Sequence, residues 1–133
     1  MITVLQNNDK PVYDRIAAKW GITKDSVLLL AEEKGTTLGH VLFHLDGENA
    51  IVTGFELTDT MDYTTLDAEQ LFISELLIRA VANYASNRNI LRVKSTLNNL
   101  FFTAIQLKLD VSGDVVDISV VSIFNSRKCN GCC

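Results

Sequence analysis

The sequence predicts an α+β domain on one mixed β-sheet: an antiparallel meander, one parallel strand pair, and helices on both faces. Three observations carry this. Strand-type runs at Val27–Glu32, Leu38–Leu45 and Ala50–Leu57 are separated by the turns Lys34-Gly35 and Asp46-Gly47, which suit hairpins. A loop, Thr58–Asp67, then leads into a helix at Ala68–Ser86 that is apolar over most of its circumference. Its Leu71, Phe72, Ile73, Leu76, Leu77, Ile78, Val81 and Tyr84 leave only Glu75, Arg79 and Asn83 as a polar stripe, so several sides must be covered. A further strand run, Ile90–Ser95, follows, and a strand–helix–strand crossover of this length makes the flanking strands parallel.

From the N-terminus, Ile2–Leu5 reads as a short strand and Asn7–Lys10 as a turn. Pro11 suits the first turn of a helix, where its missing N–H costs nothing. Val12, Ile16 and Trp20, with Tyr13 and Ala17, form the apolar face of that helix, and Gly21 ends it. Trp20 is expected to plug the core. His40 and His44 share a strand face about 13 Å apart at ~3.3 Å per residue, too far for one metal, and are expected to be ordinary half-exposed histidines. After the turn Asn87–Asn89 and the strand at Ile90–Ser95, Asn98 or Asn99 can cap a helix running to about Leu109. That helix buries Leu100, Phe101, Ala104, Ile105 and Leu109. The turn Ser112-Gly113 precedes a last strand, Val115–Phe124, with Val116, Ile118, Val120 and Phe124 alternating.

A length of 133 residues with 47% hydrophobic and 21% charged side chains describes one globular domain, residues 1–126, followed by a tail, 127–133. No apolar run reaches the ~18 residues of a membrane span. The start, MITVLQNNDK, lacks a secretory pattern, so a cytoplasmic protein is expected. Net charge is −4 without a Lys/Arg cluster, and Arg92 and Lys94 read as solvated, which argues against nucleic acid. All three cysteines, Cys129, Cys132 and Cys133, lie in the tail. Thiolates at this spacing can share a zinc, which needs a fourth ligand, or close a disulfide, which the cytoplasm disfavours; incidental thiols are the plain alternative.

The order of elements and particular residues resemble the GNAT superfamily of acyl-CoA-dependent N-acetyltransferases. The resemblance begins at AEEKGTTLGHVLFHLDGENAIVTGFEL (Ala31–Leu57), with glycines after the first strand and within the second. It continues through the long helix and the next strand and closes on NLFFTAIQLKLDV (Asn99–Val111), spanning roughly Val27 to Phe124. It implies acetyl-CoA bound where Ala50–Leu57 and Ile90–Ser95 splay, and an amine of a small molecule or peptide as acceptor. It places the cofactor against Leu57, the amides of Thr64, Thr65, Leu66, Asp67 and Ala68 before the long helix, and Asn99. It makes Glu56 the candidate base that takes the amine proton.

The sequence departs from the family at several of these places. The loop TDTMDYTTLDAEQ has neither the glycines nor the basic residue of the family's pyrophosphate loop. From Ala50 to Ile78 there are Glu56, Asp59, Asp62, Asp67, Glu69 and Glu75 and no Lys or Arg. Asp67 with Gln70, or Thr64 with Asp67, can cap the helix with side chains, an arrangement that competes with a phosphate for the same amides. Glu56 also reads, on the residues alone, as a solvent-facing strand carboxylate. Gln106 stands where the family's tyrosine acid would be, leaving Tyr63 and Tyr84 as substitutes, and Asp110-Val111 replaces Gly-Phe. Two readings result: an acetyltransferase, or a binding module on the same fold that has lost the chemistry, with a homodimer through the last strand or the thiol tail as one form of the second.

Overall fold

A computed structural model describes residues 1–111 and 113–125. The order is β1 (Thr3–Gln6), α1 (Lys10–Lys19), β2 (Val27–Glu33), β3 (Thr36–Asp46), β4 (Asn49–Leu57), α2 (Ala68–Ser86), β5 (Arg92–Ser95), α3 (Asn98–Gln106) and β6 (Val116–Ser119). The six strands form one sheet in sequential order. Every neighbouring pair is antiparallel except β4 and β5, which are parallel through Asn49↔Arg92 to Val52↔Ser95, as the crossover argument requires. The main core lies between the sheet and the α2/α3 side, around Phe43, Phe55, Leu57, Leu77 and Val81. A smaller cluster of Ile16, Leu28, Leu30 and Leu42 lies under α1 on the other face. Among the described residues no helix is long and apolar enough to cross a membrane.

The sheet is bent by a register shift in β4. Leu42 pairs with Gly54 and Phe43 with Val52, so Thr53 is an extra residue on β4, a β-bulge. The bulge reverses the side-chain alternation: Ala50 and Val52 face the main core before it, Phe55 and Leu57 after it. Gly54 and Glu56 are thereby turned to the α1 face.

Local chemistry sets α1 in place. Asp9 is its N-cap, Pro11 lies in its first turn, and Trp20 is its C-cap. Gly21 follows at φ +67°, with its N–H on the Ala18 carbonyl at 3.1 Å and that of Ile22 on the Ala17 carbonyl at 2.9 Å. This Schellman ending fixes the Trp20 backbone at the end of α1. Its indole lies directly over Gly54, where an added Cβ would sit 2.6 Å from the ring.

The structure corrects several expectations. The last strand is only Val116–Ser119, and residues 120–125 are helical. Ser119 Oγ accepts the Ser122 N–H at 3.1 Å, a side-chain N-cap that overrides the alternating pattern. This helical segment packs on the expected polar stripe, with the Arg79 guanidinium 5.3 Å from the Phe124 ring centroid. Neither Asn98 nor Asn99 caps α3; its N-cap is Leu97, without a side-chain bond, and the helix ends at Gln106. Ile90 and Leu91 precede β5, where the Leu91 N–H meets the Glu48 carbonyl at 3.0 Å. Arg92 is ion-paired with Asp117 at 2.6 Å. Cys129, Cys132 and Cys133 lie outside the described residues.

Gly54→Ala is expected to destabilise the domain by about 1–3 kcal/mol, since the indole must move to admit the methyl group. Urea unfolding gives the loss, and an unchanged midpoint would show that the ring yields freely.

Candidate functional site

Two regions bring together the residues singled out in the sequence, and β4 separates them. The first is the gap beyond the β4–β5 pairing. β5 ends at Ser95, whose Oγ donates to the Val52 carbonyl at 2.8 Å and accepts the Leu97 N–H at 3.1 Å, turning the chain into α3. Past Val52, the outer polar groups of β4 meet side chains instead of a strand. Asn99 Nδ2 donates to the Phe55 carbonyl at 2.6 Å, and the Leu57 N–H donates to the Tyr63 hydroxyl at 2.9 Å. Tyr63 is buried against the Phe55 ring, and its desolvation raises the phenol pKa. Asn99 Oδ1 is buried and has no partner among the described residues.

The loop into α2 is held by the same kind of bond. Asp67 Oδ1 accepts the Gln70 N–H at 2.8 Å while Gln70 Oε1 accepts the Asp67 N–H at 2.8 Å, a complete capping box. Thr64 does not share in it; its N–H and hydroxyl both donate to Asp62 Oδ1, which holds that carboxyl below its ordinary pKa. Gln106 reaches across from α3, its Oε1 accepting the Leu66 N–H at 2.8 Å and its Nε2 donating to the Tyr63 carbonyl at 2.7 Å. Of the loop residues expected at a cofactor, Leu66 is buried and Thr64, Thr65, Asp67 and Ala68 are exposed.

The second region is a cavity of about 570 Å³ on the opposite face, between α1 and the sheet. Cross-strand pairing places Leu30, His40 and Glu56 in one row along its floor. His40 is 5% exposed, not half-exposed as expected. Its Nε2 accepts the Trp20 indole N–H at 2.9 Å. An indole nitrogen can only donate, so a neutral His40 carries its proton on Nδ1. That Nδ1 is 4.0 Å from Glu56 Oε1, beyond hydrogen-bond range, while Glu56 Oε2 is paired with Lys19 Nζ at 2.5 Å. Burial lowers the His40 pKa to about 4; Glu56 opposes this, and Lys19 and Arg15 add to it.

The structure therefore gathers Leu57, Leu66 and Asn99 around Tyr63 and Gln106, keeps Asp67 in the α2 capping box, and turns Glu56 to the α1 face. Sequence reasoning missed His40 and Trp20. Their signal was a pair of polar-tipped aromatic residues facing a glycine, Gly54, legible only once the bulge fixes the register. Tyr84 packs edge-on against Phe43 at 5.2 Å. Among the described residues no His, Cys, Asp and Glu side chains group in a way that could hold a metal ion.

No family profile matches the sequence, and no curated protein matches it. Among solved structures, an acetyltransferase of the GNAT family from Staphylococcus aureus Mu50 superposes with a TM-score of 0.60, covering 90% of this chain and 99% of that chain at 11% identity. At this identity the similarity shows the fold alone: the chain has a GNAT-like fold.

His40 makes folding sensitive to acid. Its folded pKa is depressed, so the stability it confers is complete above its unfolded value of 6.5 and is lost as pH falls towards about 4. The loss reaches about 3 kcal/mol, because the unfolded chain takes up a proton that the folded chain refuses. Urea unfolding at pH 7, 5.5 and 4 should show His40→Gln losing less stability than the unaltered protein over this range. Equal losses would place the acid sensitivity elsewhere.

Proposed function

We propose that this GNAT-like domain is a small-molecule binding module whose ligand site is the cleft beneath α1, with the acyl-CoA position closed by the chain itself. One observation supports this above the others: the polar backbone groups where a coenzyme would lie are engaged by Tyr63, Asn99, Gln106 and the Asp67–Gln70 capping box. A pyrophosphate needs free amides and gains from a nearby cation or a glycine loop. The residues here do not fit that requirement, since the segment is acidic and the amides of Leu66, Asp67 and Gln70 already have acceptors.

A second reading is acetyl transfer from acetyl-CoA to a small-molecule or peptide amine, with Glu56 as the base. The unpartnered Asn99 Oδ1 favours it, because a buried acceptor beside the open stretch of β4 suits a ligand N–H.

Coenzyme A separates the two. A site with ligand at a hundredfold excess over the dissociation constant would stabilise the fold by about 2.7 kcal/mol. The binding-module reading expects no shift of the unfolding midpoint at 1 mM coenzyme A. A saturable upward shift overturns it, and Glu56→Gln should then lower acetyl transfer without lowering stability.

A further inference from the structure

The cleft beneath α1 carries a charge pattern that selects among small molecules. Three of its charged groups are engaged within the fold. Lys19 and Glu56 hold each other, and Asp9 Oδ1 accepts the Val12 N–H at 3.4 Å in the first turn of α1. Arg15 from α1 and Glu32 from β2 also line the cleft, and among the described residues neither has an ion-pair partner. They are opposite in sign, come from opposite walls, and do not pair with each other. Buried in the same cleft, His40 offers an Nδ1–H that lies 4.0 Å from Glu56 Oε1, outside hydrogen-bond range, and is held in that tautomer by Trp20. Val12, Ile16 and Leu30 supply an aliphatic lining. A second hollow of about 500 Å³ continues the cleft towards β1, sharing Asn7, Asp9, Leu30 and Glu32.

The geometry points to a small zwitterion with a short aliphatic chain, an amino-acid-type molecule, as the occupant of this cleft, an assignment that rests on the cleft being the ligand site. Its carboxylate would lie against the Arg15 guanidinium and the His40 Nδ1–H, a pair of donors suited to two oxygens. Its ammonium would face Glu32, and its chain would rest on Val12, Ile16 and Leu30. A simple anion would leave Glu32 without a counter-charge, and a simple cation would leave Arg15 without one.

Trp20 is the only tryptophan in the chain, so its fluorescence and its indole N–H resonance report on this cleft. Three probes of matched chain length separate the charges: L-norleucine, hexanoate without the ammonium, and pentylamine without the carboxylate. At pH 7, norleucine should perturb Trp20 and bind at least tenfold more tightly than either truncated probe. Arg15→Gln should reduce norleucine most of the way to the affinity of pentylamine without weakening pentylamine itself. Glu32→Gln should reduce it to that of hexanoate, with circular dichroism confirming that both variants fold. Equal binding of norleucine and one truncated probe, with Trp20 responding, would overturn the zwitterion and leave the cleft as a ligand site. If none of the three perturbs Trp20, the proposal is overturned. A midpoint shift with coenzyme A would instead overturn the binding-module reading, independently of how norleucine behaves.

Discussion

The rest of the structure depends on one extra residue in β4. A strand without the bulge at Thr53 would carry Glu56 on the same face as Ala50 and Val52, inside the main core. An unpaired carboxylate there would be costly, so the bulge and the core sequence require each other. By reversing the alternation after Val52, it sends Phe55 and Leu57 inward and leaves Gly54 and Glu56 beneath α1. It lies just beyond the last β4–β5 pair, Val52↔Ser95, so the change of face and the opening of the sheet occur together.

On the α1 face, Gly54 makes room for an indole and Trp20 supplies it. The helix ending at Trp20 is fixed by Gly21 through main-chain bonds three to five residues apart, and the ring is then held by its hydrogen bond to His40 over Gly54. The ring in turn determines the tautomer of His40. The indole bond to Nε2 leaves Nδ1 as the imidazole nitrogen facing Glu56, and the neutral charge state keeps a buried histidine compatible with the nearby Lys19 and Arg15.

On the other face, side chains take the place of a neighbouring strand along the outer edge of β4. Each bond from Gln106, Asn99, Tyr63 and the capping box satisfies a main-chain group that would otherwise need water or a bound molecule. An anion entering there must compete with bonds that are intramolecular and already oriented, in a segment of negative charge. These bonds also tie the loop to both α2 and α3, so the satisfaction of the loop's main-chain groups and the packing of the helices are one feature.

The sequence alone determined the class, the element order, the parallel crossover and the bounds of α2, because these depend on local signals: hydrophobic period, Gly turns, and the Asp67–Gln70 pair at a helix start. It also carried the acidity of the loop and the candidate carboxylate Glu56. It misread Val115–Phe124 as one strand, since alternating apolar residues suit either element and only the Ser119 cap in its tertiary setting chose the helix. It assigned Asn98 or Asn99 a capping role, although the carbonyl that Asn99 meets lies forty-four positions away on β4. His40 and Trp20 could not be joined from their spacing, because their contact depends on the register of β3 with β4 and on the path of α1 across the sheet. Local chemistry chooses elements; which polar atoms meet across them is decided by long-range packing, and only the folded chain shows it.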